Sequence, residues 1–188
     1  MLIPIHYPTA SLKPRKEESL QDGHLWIFSG ALQQPPHWIE SGGLVDVKSS
    51  TGKFVARGYY NARTDIAIRI LTRNQEEGID EAFFQKRITE AVALRQVFDP
   101  DVTNAYRLIN AEGDGLPGLV VDRYAEIVVA QIHTLGMERL RPQLFEALMD
   151  YAGTHGILLR NDGQARQREG MELEEPAKNE IQIVSFLR

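Results

Sequence analysis

Cysteine is absent from the 188 residues. That excludes disulfides, thiolate nucleophiles and cysteine-bound metals, and it suits a reducing compartment. Long apolar runs are absent as well: nothing approaches the roughly 18 residues a membrane-spanning helix needs. The start, MLIPIHYPTASLKPRK, has neither a basic leader nor a long apolar stretch behind it. A cytoplasmic protein with no membrane partner is the expectation. Histidine is scarce, and His6, His24, His37, His133 and His155 show no metal-ligand spacing. No internal repeat and no low-complexity tract occurs.

What is present is ordinary in amount and uneven in placement. Hydrophobic residues make up 43% and charged residues 25%, as in a soluble globular chain. The net charge is -5, yet residues 1–73 hold nine Lys or Arg against six Asp or Glu, a net of +3. The remainder therefore carries -8. A basic front half on an acidic protein suits a polyanion partner; two unrelated solvated surfaces are the plainer alternative.

Punctuation divides the chain. Up to about residue 75 it reads as short strands: Leu25–Phe28, then a hairpin of Leu44–Val47 and Phe54–Ala56, then the alternating Ile66, Ile68 and Ile70. Strands this short and closely spaced predict a small β-barrel or sandwich, the barrel being the form taken here. Trp26 is expected in its core. The polar TRNQEEG, residues 72–78, marks a boundary that should be open to proteases. A helix then starts at an Asp80 N-cap and buries Phe84, Ile88, Ala91, Val92 and Leu94. Beyond it come strands near 106–111, 118–122 and 127–133, a helix bearing Leu140, Leu144, Phe145 and Leu148, and a strand at Ile157–Leu159. Another strand is expected around Met171–Leu173. The fold class is mixed: a β-barrel followed by an α+β domain of strands, helix and strands. The expected divisions are 1–75, a connecting helix over 76–102, the α+β domain over 103–176 and a tail over 177–188.

Three stretches concentrate polar chemistry. In ARGYYNARTDIAIRIL, Arg57, Tyr59, Tyr60, Asn61, Arg63 and Arg69 offer guanidinium groups for phosphates, a ring for stacking and an amide for a base edge. Alternation along a strand predicts that Tyr59 and Tyr60 face opposite ways, leaving one ring exposed. The alternative is a packed tyrosine beside solvated arginines. Lys13, Arg15 and Lys16 form a second basic cluster, although Glu17 and Glu18 follow directly. The loop EGDGLPG carries Glu112 and Asp114, with Asp122 nearby, but lacks the other ligands of a calcium loop. Its carboxylates would repel a phosphate. It is expected to be structural, with Gly113, Gly115 and Gly118 at positive φ. Neither a catalytic constellation nor a metal site is read here.

LKPRKEESLQDGHLWIFSGAL with GGLVDVKSSTGKFVARGYYN resembles the PUA domain of the bacterial 23S ribosomal RNA cytosine-C5 methyltransferases, the RlmI family. TNAYRLINAEGDGLPGLVVDRYAEIVVAQI resembles that family's central α+β domain, and LLRNDGQARQREGM the stretch closing it. The resemblance implies RNA, ribosomal RNA in particular, as partner, and Lys13, Arg15, Lys16, Arg57, Tyr59, Tyr60, Asn61, Arg63 and Arg69 as its contacts. In the family a Rossmann-like domain with the S-adenosylmethionine site and the catalytic cysteine follows. Here EEPAKNEIQIVSFLR stands where that domain would begin, and no strand, glycine-rich loop and helix of a cofactor site is found. The chain is thus expected to recognise RNA, to hold no cofactor, and to be inert by itself, with S-adenosylmethionine confined to full-length relatives. A free-standing RNA-binding module, the front piece of a split active enzyme and a homodimer all stay open.

Overall fold

The computed structural model describes residues 6–34, 36–99, 101–151 and 154–174, so the tail expected at 177–188 lies outside them. The chain forms two compact units, residues 1–78 and 79–188.

The first unit is one curled five-stranded sheet. Its strands are β1 (Thr9–Ser11), β2 (Trp26–Phe28), β3 (Leu44–Lys48), β4 (Phe54–Tyr60) and β5 (Ile66–Thr72), with a short helix α1 (Glu18–Gln21) between the first two. The order across the sheet is β1-β3-β4-β5-β2, with β1 parallel to β3 and every other pair antiparallel. Val45 and Val47 alternate inward from β3 and meet Leu12, Ile27, Ala56, Tyr60, Ile68 and Ile70 in the core. Removing each such aliphatic side chain from water contributes about 1.5–3 kcal/mol. Gly58 sits where β4 and β5 shift register, and a Cβ there would lie 2.0 Å from the Arg69 carbonyl oxygen. No other residue lets the two strands approach so closely.

The second unit sets helices on a four-stranded sheet. The strands β6 (Ala105–Asn110), β7 (Leu119–Tyr124), β8 (Ile127–Ile132) and β9 (Gly156–Leu159) lie in sequence order, with β9 parallel to β8. Helix α2 (Glu81–Arg95) packs on α4 (Arg141–Asp150), which a one-turn helix α3 (Leu135–Arg139) precedes. Asp80 caps α2 as expected, its carboxylate accepting from the Phe83 amide at 3.0 Å. Phe83, Phe84, Ile88 and Ala91 are buried from α2, whereas Leu94, expected inside, is exposed in the last turn. Pro142 stands in the first turn of α4, where its missing N–H costs nothing.

Two local expectations change. The region 171–173 holds no strand; a short helix α5 (Ala165–Arg168) precedes it, and the Met171 amide bonds back to the Arg166 carbonyl. Arg166 itself is buried, donating to the Ile132 carbonyl and to Glu138, both at 2.8 Å, which ties this closing stretch to the sheet. In the glycine-rich loop, Gly115 (φ 69°) and Gly118 (φ 77°) take left-handed backbone, but Gly113 does not; Ala111 (φ 46°) does. Asp114 receives both Arg95 Nη atoms at 2.6 and 2.7 Å and the Asn110 amide at 2.6 Å. That carboxylate holds the loop closed on α2.

Candidate nucleic-acid interface

The exposed chemistry of the first unit gathers around β2. As an edge strand β2 pairs only with β5, and its alternation turns Ile27 inward and Trp26 and Phe28 outward. These two rings are 42% and 54% exposed. The core placement expected for Trp26 is therefore wrong: in a three-residue strand with one covered face, only the central side chain is inside. Phe28 was missed for the same reason, since LWIF reads as a continuous buried run. The spacing of Trp26 and Phe28 around Ile27 was the signal that could have found both.

A basic turn flanks the rings. Leu12 bridges to Leu32, the Lys13 amide donates to the Ala31 carbonyl at 2.8 Å, and Lys13 Nζ donates to the Gly30 carbonyl at 2.8 Å. Lys16 N then closes on the Lys13 carbonyl at 3.2 Å. Pro14 takes the second turn position and Arg15 the third, at φ 65°, where a type II turn favours glycine. Lys13, Arg15 and Lys16 are all exposed. Lys16 lines a cavity of about 380 Å³ together with Trp26 and Phe28.

The β4–β5 loop reaches the same edge. The Ser29 amide, next to Phe28, donates to the Asp65 carbonyl at 2.8 Å. Within that loop the Asn61 side-chain oxygen accepts from the Arg63 amide at 2.9 Å, and Arg63 itself is exposed. Arg69 lies opposite Trp26 in register and is half-buried.

The rest of ARGYYNAR turns inward, against expectation. Tyr59 and Tyr60 are 0% and 4% exposed. They do point to opposite faces, but residues 56–60 of β4 are buried without a break, so both of its faces are covered there. Tyr60 joins the core, and burial pushes its phenol above the ordinary value of 10.0. Asn61 is buried around its loop bond. Arg57, 4% exposed, sends Nε to Asp46 at 2.7 Å, Nη2 to the Gln75 carbonyl at 3.2 Å and Nη1 to the Glu77 carbonyl. Its guanidinium lies 4.1 Å from the centre of the Tyr7 ring. So Lys13, Arg15 and Lys16 flank Trp26 and Phe28 with Arg69 opposite Trp26, Arg63 is exposed on the β4–β5 loop, and Arg57, Tyr59, Tyr60 and Asn61 are withdrawn. What remains can neutralise phosphates and offer flat rings to bases. Among the described residues, no group of three or more histidine or acidic side chains is placed to hold a metal.

Comparison with known proteins bears on the fold and the family. Residues 11–73 match the model of a PUA-like domain. A ribosomal RNA large subunit methyltransferase I from Pseudoalteromonas atlantica is 37% identical over 163 residues, which cover 86% of this chain and 41% of that protein. The protein of the same name from Klebsiella pneumoniae is 36% identical over 168 residues, 89% of this chain and 42% of its own length. Among solved structures, a proposed SAM-dependent methyltransferase from Streptococcus mutans superposes with a TM-score of 0.72 at 18% identity, covering 81% of this chain and 40% of that one. A proposed methyltransferase complexed with SAH gives 0.71 at 19% identity, with the same coverage. The chain spans about two-fifths of the length of the relatives it matches.

Proposed function

The chain belongs in sequence with the ribosomal RNA large subunit methyltransferase I proteins and carries a PUA-like domain, and on that premise we propose that these 188 residues bind ribosomal RNA in the cytoplasm as the substrate-recognising portion of such an enzyme. The observation that carries the reading is the pair of exposed rings, Trp26 and Phe28, bordered by Lys13, Arg15 and Lys16. Water-exposed aromatic rings forgo burial, and a neighbouring cation cluster gives them a use: charge for phosphates, rings for unpaired bases. Arg63 and Arg69 extend the same edge. The total charge of -5 does not oppose this, because a local patch acts within about one Debye length, about 8 Å at physiological salt.

Methyl transfer is assigned to other parts of the relatives' length. The 188 residues contain no cysteine to attack a pyrimidine ring, and their glycine-rich loop is closed by Asp114 on Arg95 and not shaped to cradle a nucleotide. No helix among the described residues is long and apolar enough to cross a membrane.

The test is RNA binding by the purified chain across a salt series. Arg15→Ala with Lys16→Ala should weaken binding and flatten the salt slope by about one unit for each lost phosphate contact. Trp26→Ala or Phe28→Ala should cost about 1–3 kcal/mol where a base stacks on the ring. Parent-like binding by all of these variants at every salt concentration would overturn the interface. Calorimetry with S-adenosylmethionine should show no uptake of heat or release of it; micromolar binding would overturn the division of labour.

A further inference from the structure

The second unit holds a cavity of about 520 Å³ whose walls combine aromatic rings with guanidinium and amide groups. Phe98 and Tyr106 stack with ring centres 5.2 Å apart and planes 27° from parallel, and Phe98 remains 43% exposed. Tyr151 supplies a third ring, beneath the Arg123 guanidinium at 5.4 Å. Arg123 gives Nε to the Ala125 carbonyl at 2.7 Å and Nη1 to the Tyr151 hydroxyl at 2.9 Å. Its Nη2 has no partner among the described residues. Asn104 uses its backbone carbonyl to receive the Ala125 amide, while its exposed side-chain amide is likewise unpaired. Burial and the neighbouring Tyr106 push the Tyr151 phenol up, so it presents a neutral hydroxyl.

We propose that this cavity is a second RNA contact that takes one unpaired nucleobase, stacked against the Phe98–Tyr106 rings and read along its edge by Asn104 and Arg123. A volume in this range suits a planar heterocycle. Flat rings with a free amide and a free guanidinium donor at their margin are the elements by which splayed-out bases are held. Glu126 decides which part of the nucleotide enters. It lines the cavity and pairs with His155 at 2.9 Å, so a phosphate would meet a carboxylate there while a neutral base would not. A paired base hides the edge that Asn104 and Arg123 would read, so the site selects single-stranded RNA.

The inference rests on the RNA-binding reading, and two arms keep their failures apart. In the first, uridine and adenosine monophosphates are titrated into the 188-residue chain and followed by NMR of the tyrosine and asparagine signals. Shifts at Tyr106, Tyr151 and the Asn104 amide are expected, lost in Asn104→Ala and in Phe98→Ala. In the second, a short single-stranded RNA carrying 4-thiouridine is photo-crosslinked and the attached peptides mapped. Crosslinks should fall in the segments bearing Phe98, Tyr106 or Tyr151, drop about tenfold in Phe98→Ala, as loss of a base–ring contact implies, and fall in Asn104→Ala as well. Trp26→Ala should weaken overall retention and leave the nucleotide shifts unchanged. RNA retained by the first unit with no crosslink in the second would overturn this proposal alone. Absence of nucleotide shifts overturns it whether or not RNA is retained. Asn104→Ala removes only an exposed amide with no partner among the described residues, so it keeps the test decisive should Phe98→Ala unfold.

Discussion

Arg57 takes a full charge into a nearly closed pocket, where Asp46, the Gln75 and Glu77 carbonyls and the Tyr7 ring surround it. Its donors are matched to acceptors in a fork, which a lysine could not reproduce. Removing it would leave Asp46, itself mostly buried, without its counter-charge. Arg57→Ala is therefore expected to destabilise the protein by about 3 kcal/mol, the cost of stranding one member of a buried pair, seen as a lower melting temperature. Arg63→Ala, on an exposed side chain, should leave the melting temperature unchanged and weaken RNA binding instead. A reversal of these two outcomes would return Arg57 to the interface. Two arginines six positions apart thus do different work, and only their surroundings distinguish them.

Elements decide what alternation and spacing can deliver. In β2 the edge position converts a three-residue apolar run into two exposed rings and one buried isoleucine. In β4 cover on both faces buries both tyrosines. The loop between β6 and β7 is held by Asp114, whose side chain is 3% exposed and receives two Arg95 donors and the Asn110 amide. Asp114→Asn keeps the shape, removes the charge, and leaves Arg95 unmatched. It should lower stability by about 3 kcal/mol and loosen the loop, read as faster amide exchange at Asn110. Unchanged exchange there would mean that the glycines alone shape the loop. Gly118 contributes separately: a Cβ at that position would lie 2.3 Å from Thr134 Oγ1.

For the whole molecule, the division after Gly78 has a consequence for proteolysis. Polar sequence at 72–78 predicts an open linker, yet the carbonyls of Gln75 and Glu77 are bound by Arg57 and the Asn74 side chain caps Glu76 N at 3.0 Å. The parent protein should resist cleavage there under mild protease, and Arg57→Ala should be cut between residues 73 and 78 at a conspicuously higher rate. Mass spectrometry of the fragments distinguishes this from general unfolding, which would spread cuts through both units. Rapid cleavage of the parent at those bonds would show that the tether does not protect the linker.

Much of this protein was legible without coordinates, for reasons of local chemistry. The Asp80 cap follows from a contact within one helical turn, and the strands on either side of the glycine-rich loop from a hairpin whose pairs lie 10 to 19 residues apart. The basic cluster of Lys13, Arg15 and Lys16 was legible as charge, whereas the turn that Pro14 and Arg15 make was not read from it. What tertiary structure decided was coverage. Period-two patterning states that Tyr59 and Tyr60 face apart, but not that both faces of β4 are covered at that end. It states that Trp26 and Phe28 share a face, but not that an edge strand leaves that face in water. Arg57 finds Asp46 and the linker carbonyls across 11 to 20 residues of sequence. Exposure is set by which distant segment lies on top, and that is a property of the folded chain.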